Sequence, residues 1–62
     1  MPALSPEEKS VFDRLSVEAP VHIDDLVEAA DASVSEMLGL LLNLELKGLV
    51  RQTPGKLFQR SP

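Results

Sequence analysis

Cysteine, tryptophan and tyrosine are absent from this 62-residue sequence, which holds only one histidine, two phenylalanines and three glycines. Without cysteine there is no disulfide and no thiolate metal site. With His22 alone, a metal site would need a carboxylate cluster, and none stands at ligand spacing, so no metal or other cofactor is expected. Two phenylalanines make no stacking platform for single-stranded bases. No apolar run reaches membrane-spanning length and no signal peptide pattern is present, so the expectation is a soluble, cytoplasmic chain with no membrane partner. The glycines are isolated, which excludes a phosphate-cradling loop. No nucleophile–base pair is evident, and so short a chain has little core with which to wall a ligand pocket. The reading is therefore not an enzyme, with no catalytic residue and no small-molecule substrate.

What is present is one small domain's worth of sequence, read as a single module of a longer protein. Its net charge of −4 is unevenly placed. Residues 1–46 hold all ten acids with only Lys9 and Arg14, a net of −8, whereas residues 47–62 hold Lys47, Arg51, Lys56 and Arg60 and no acid, a net of +4. The overall sign disfavours nucleic acid, while the basic end leaves a sparse patch open to it.

Leu4-Ser5-Pro6-Glu7-Glu8 has the pattern of a helix start, with Ser5 as N-cap, Pro6 at the first position and Glu8 completing a capping box. The expected helix runs from Pro6 to Ser16 with Val11, Phe12 and Leu15 inward. Pro20 breaks it and begins an extended piece, Val21 to Ile23. Asp24 is the expected N-cap of a second helix ending near Ala30, with Leu26, Val27 and Ala30 inward. Ser33 and Glu36 repeat the capping box and open a third helix, whose stripe of Val34, Met37, Leu38, Leu41 and Leu44 is expected in the core. Gly48 is placed to end that helix. Leu49–Gln52 and Lys56–Arg60 are strand candidates around Thr53-Pro54-Gly55, and the proline favours a loop longer than two residues.

Two capped helices across a short turn, followed by a hairpin, spell a winged helix-turn-helix: mainly α with a small β-sheet, three helices plus a β-hairpin wing. Residues 1–4 are read as an N-terminal tail, 5–60 as the domain and 61–62 as a C-terminal tail. The stretches Leu4–Glu8, Pro20–Leu26 and Leu41–Arg51, the last reading Leu-Leu-Asn-Leu-Glu-Leu-Lys-Gly-Leu-Val-Arg, resemble the C-terminal winged-helix domain of the bacterial DNA-processing protein A family (DprA, or Smf). The resemblance implies an accessory module. The family's single-stranded DNA binding, through a Rossmann-like domain, its loading of the recombinase RecA and its role in natural transformation belong to the parent. None of that Rossmann-like region is present here, so no residue role carries over from it. The shorter Leu-Glu-x-x-Gly-Leu-Val piece also occurs in MarR-like transcriptional regulators, which leaves a DNA-binding domain of such a regulator as the alternative.

Two surfaces compete. On the third helix the outward residues are expected to be Ser35, Glu36, Gly39, Leu40, Asn43 and Lys47, of which Asn43 suits an adenine edge and Lys47 a phosphate. Alternation along the last strand places Lys56, Phe58 and Arg60 on one face, with Arg51 on the neighbouring strand; this wing is the better DNA candidate, and the competing reading has Phe58 packed inward and the cations solvated. For protein contact the candidates are Gly39, Leu40 and Leu46 on the leucine-rich third helix. The expected partners are accordingly DNA, bound weakly and without sequence preference, and RecA or another domain of the parent. His22 is expected at the surface or capping the second helix, and Glu45 is expected to reach back to Arg51.

Overall fold

A computed structural model describes residues 3–62; Met1 and Pro2, half of the expected N-terminal tail, lie outside the described residues. The elements run α1 (Pro6–Asp13), β1 (Val21–His22), α2 (Ile23–Ala30), α3 (Val34–Leu46), β2 (Val50–Thr53) and β3 (Leu57–Arg60). The three strands form one antiparallel sheet in the order β1-β3-β2. This is the winged helix expected from the sequence.

Both capping boxes form. The Glu8 amide donates to Ser5 Oγ at 3.1 Å and the Ser5 amide to Glu8 Oε1 at 2.9 Å. The Glu36 amide donates to Ser33 Oγ at 3.1 Å and the Ser33 amide to Glu36 Oε1 at 3.2 Å. Each box satisfies donors that the first turn of a helix leaves free. Helix α3 ends in a Schellman motif: Gly48 adopts φ +77°, its amide donates to Glu45 O, and the Leu49 amide donates to Leu44 O.

Helix α1 stops at Asp13, three residues short of the expected end. The reason is tertiary. Leu15 is buried, and Ser16 leaves the helix to offer its carbonyl to the Arg60 amide at 2.9 Å, while its hydroxyl accepts from the Ala19 amide at 3.0 Å.

The N-cap of α2 is His22, one of the two positions expected for it, and not Asp24: His22 Nδ1 accepts from the Asp24 amide at 3.0 Å. Ile23 is accordingly the first helical residue rather than the last of the strand. Its amide still donates to Lys56 O at 3.0 Å. A first-turn amide has no partner within its own helix, so one residue can begin α2 and extend the ladder between β1 and β3.

In the wing, Thr53 pairs with Leu57 across the loop Pro54-Gly55-Lys56. Gly55 at φ +94° and Lys56 at φ +61° make this a longer connection than a two-residue turn, as the proline indicated. The core is Val11, Leu15, Ile23, Leu26, Met37, Leu41, Leu44, Val50 and Phe58. Leu4 packs against it from outside α1, and the Ser61 amide donates to Leu49 O at 2.9 Å.

Two expected core residues are not in it. Val34 and Leu38 are 49% and 48% exposed. The buried line of α3 is Met37, Leu41 and Leu44, and leucines so nearly encircle this helix that periodicity could not mark where the buried stripe ends. Among the described residues no helix is long and apolar enough to cross a membrane, and no group of three potential metal ligands forms.

Candidate functional site

The cations expected to meet DNA fall into two classes. Lys47 and Arg60 are engaged inside the protein. Lys47 Nζ lies 2.8 Å from Glu8 Oε1 and donates to Ala3 O at 3.1 Å, so it clamps the end of α3 onto the start of α1. Glu8 is buried, and the Lys47 hydrogen bond, followed by the Ser5 amide, holds its carboxyl below the usual carboxylate value despite that burial. The Arg60 guanidinium stacks 4.1 Å from the Phe12 ring centroid, its Nε donates to Phe12 O at 3.0 Å, and its Nη2 stands 4.0 Å from Asp13 Oδ1.

The expected face of Lys56, Phe58 and Arg60 therefore does not exist as a basic face. Phe58 is 1% exposed in the core, Arg60 is stacked on α1, and Lys56 lies in the wing loop outside the strand. Phe58 packs inward, as the competing reading had it, and alternation along β3 sets Arg60 on the same side, against α1. Arg51 and Lys56 remain exposed, and neither forms an ion pair among the described residues. Arg51 alternates with buried Val50 and so leaves the sheet away from the core. The expected Glu45–Arg51 pair is not formed, for the same reason: Arg51 faces away from α3.

Of the six residues expected to point outward from α3, Ser35, Glu36, Gly39 and Asn43 are exposed, while Leu40 and Lys47 are half-buried. Leu40 packs against the core, and with Val11, Ala30 and Ala32 it lines a hollow where α1 meets the α2–α3 turn. Glu36 is held below the usual carboxylate value by the Ser33 amide and hydroxyl. Asn43 is then the outward group of α3 whose amide suits an adenine edge, and no cation accompanies it among the exposed residues of the helix.

The dominant feature of that surface is apolar. Val34, Leu38, Leu42 and Leu46 are 49%, 48%, 54% and 77% exposed, and they recur every four residues. Side chains four apart stack into one ridge along a helix. Beside it runs a row of small or polar residues, Ser35, Gly39 and Asn43. Of the residues expected for protein contact, Leu46 and Gly39 lie on this surface and Leu40 packs against the core, while Val34, Leu38 and Leu42 were not among them. The four-residue spacing was a readable signal for them, masked by the second apolar line that fills the core.

Comparison with known proteins bears on the fold and the family. A chain in the crystal structure of T. acidophilum IdeR matches with a TM-score of 0.76 at 6% identity, over all of this chain and 30% of that one. At that identity the likeness is one of fold, and this chain spans less than a third of that chain's length. No curated protein matches the sequence. The family model described as the DprA winged helix domain matches residues 1–56. That match covers most of the sequence, and the chain thus belongs to the DprA winged helix domain family.

Proposed function

We propose that this domain is an accessory module of a DprA-like DNA-processing protein in the cytoplasm, and that it acts mainly by protein contact through the exposed ridge of α3. The observation that carries this reading is the character of that helix. Where a major-groove reader carries cations and hydrogen-bonding side chains, this one exposes Val34, Leu38, Leu42 and Leu46. Apolar patches of this kind on a small domain mark interaction surfaces. In this proposal the parent protein carries the single-stranded DNA binding and RecA loading of natural transformation, and residues 5–60 contribute a docking unit with neither reaction centre nor cofactor. The protein facing the ridge is RecA, another domain of the parent or a further copy.

The exposure of Arg51 and Lys56 favours a second, weaker role for the wing: a sequence-independent touch on phosphates. Two free cations neutralise too few phosphates for the tight, salt-resistant binding of a sequence-reading regulator. Asn43, Lys47 and Arg60 are secondary in this proposal, since the last two already have partners in the fold.

An NMR titration of the domain with duplex DNA, single-stranded DNA and RecA in turn tests the reading. The expected result with DNA is small shifts confined to Arg51, Lys56 and their neighbours, lost in moderate salt. With a protein partner the shifts fall on residues 34–46. Sequence-dependent DNA shifts centred on Asn43 and the rest of α3 would overturn the protein-contact reading in favour of a regulator.

A further inference from the structure

We propose that the groove between α1 and α3 docks a basic segment of a partner protein, one in which an apolar side chain stands between lysines or arginines. This deepens the protein-contact reading above by giving the partner's chemistry, and it rests on that reading.

Three observations carry it. The first is a continuous recess. The hollow where α1 meets the α2–α3 turn has a volume of about 390 Å3, and a second hollow of about 450 Å3, at Gly39, adjoins it. The two share Glu7, Glu36 and Leu40, and the second reaches Leu42, so the recess opens beside the α3 ridge. Val11, Ala30, Ala32 and Leu40 floor the first hollow. Val11 is buried and the other three are half-buried, which leaves apolar surface within reach of an incoming side chain.

The second is charge. Glu7, Asp31 and Glu36 stand exposed around that floor, and none of them forms an ion pair among the described residues. No lysine, arginine or histidine lines either hollow. Three like charges thus converge on apolar surface with no counter-charge beside them. A cationic segment relieves their repulsion on arrival, whereas a nucleic acid or a second acidic surface adds to it. The apolar floor asks in turn for an uncharged side chain between the cations, since a bare cation would leave it wet.

The third is Asp31. A capping box explains Glu36, and a place in the first turn of α1 explains Glu7. Asp31 has no such reason. It is the C-cap of α2, at the negative end of the helix dipole, and its φ of +52° is one that glycine and asparagine take most readily at helix ends. Its carboxylate therefore works against the local fold. What it supplies is the third charge at the rim.

An NMR titration of the chain with a short peptide in which leucine stands between arginines tests the proposal. Two control peptides carry glutamates in place of the arginines or serine in place of the leucine. The basic peptide should shift residues 7–11, 30–32 and 36–43, and added salt should weaken it. The glutamate peptide should leave the spectrum unchanged, and the serine peptide should bind about tenfold more weakly. Glu7→Gln and Asp31→Asn should each weaken binding about two- to fivefold, the range of an exposed ion pair. Glu18→Gln, which removes an exposed acid before β1 and outside the groove, should not. Asp31→Asn should at the same time raise the thermal midpoint, which separates lost binding from lost fold. Equal binding of the arginine and glutamate peptides would overturn the proposal, as would shifts confined to the wing or an equal loss in Glu18→Gln and Asp31→Asn. Groove shifts on concentrating the chain alone would also overturn it, since a second copy would then be the occupant. If the basic peptide leaves the groove unmoved but RecA shifts residues 34–46, the basic segment falls and the protein-contact reading stands. If neither shifts α3, both fall.

Discussion

The two sides of α3 are built from nearly the same residues and have opposite fates. On the inner side Met37, Leu41 and Leu44 are fully buried under α1, α2 and the sheet. On the outer side Leu38, Leu42 and Leu46 are about half to three-quarters exposed. Composition cannot tell them apart, and both sides obey helical spacing. The difference lies in what has been brought against them. The inner leucines contribute to the stability of this domain, whereas the outer ones are available to stabilise something else.

Substitution can break that contrast directly, and the largest effect is expected at the inner side. Leu41→Ala should cost about 2–5 kcal/mol, as core leucine truncations do, whereas Leu42→Ala should change the stability of the single copy by no more than about 0.5 kcal/mol. Urea unfolding of the two variants side by side measures the difference. Comparable losses would mean that the outer leucine is buried after all.

The next effect concerns the polar seam between α1 and α3. Lys47→Ala removes the partner of buried Glu8 and should lower the melting midpoint, by more than Lys9→Ala, whose ion pair with Asp13 is exposed. An equal change in the two variants would show that the Glu8–Lys47 contact behaves as a surface pair.

Acid should weaken the same seam. The Glu8 and Glu36 carboxyls both lie below the ordinary 4.5 in the folded state, because hydrogen bonds donated to the ionised oxygens stabilise them: from Lys47 and the Ser5 amide to Glu8, and from the Ser33 amide and hydroxyl to Glu36. A depressed carboxylate pKa stabilises the fold above the unfolded-state value, and that contribution is lost as the pH falls through the folded value. Stability should therefore decline below pH 4.5, and Glu8→Gln combined with Glu36→Gln should make the decline shallower in thermal melts.

The smallest effect is a gain. Gly39→Ala should stabilise the single copy by about 0.5–1 kcal/mol, because alanine is the better helix former and its methyl meets open space. A loss of stability would show that the glycine serves the fold rather than the outer surface.

The basic end of the chain draws a second contrast of the same kind. Four cations over sixteen residues read as one patch in the sequence, yet they separate into two that hold the fold and two that face solvent. Lys47 reaches back 39 positions to Glu8, and Arg60 reaches back 48 to Phe12. No local pattern announces partners at such separations. Among the described residues Arg51 and Lys56 form no ion pair.

Local chemistry was readable before any coordinates. Ser5 with Glu8 and Ser33 with Glu36 cap their helices because the partners stand three residues apart. Gly48 ends α3 because a left-handed residue there costs little only when it lacks a Cβ. Pro54 and Gly55 turn the wing for equally short-range reasons. From these elements and their order the architecture follows, as does the inward seam through Met37, Leu41 and Leu44. Contacts far apart along the chain were not readable: the early end of α1, the stacking of Arg60 on Phe12 and the exposure of Val34 and Leu38. Each depends on which surface a second element comes to cover, and burial is a property of that pairing. A leucine carries the same hydrophobicity on either side of a helix; only the packed neighbours settle which side becomes the core and which is left for a partner.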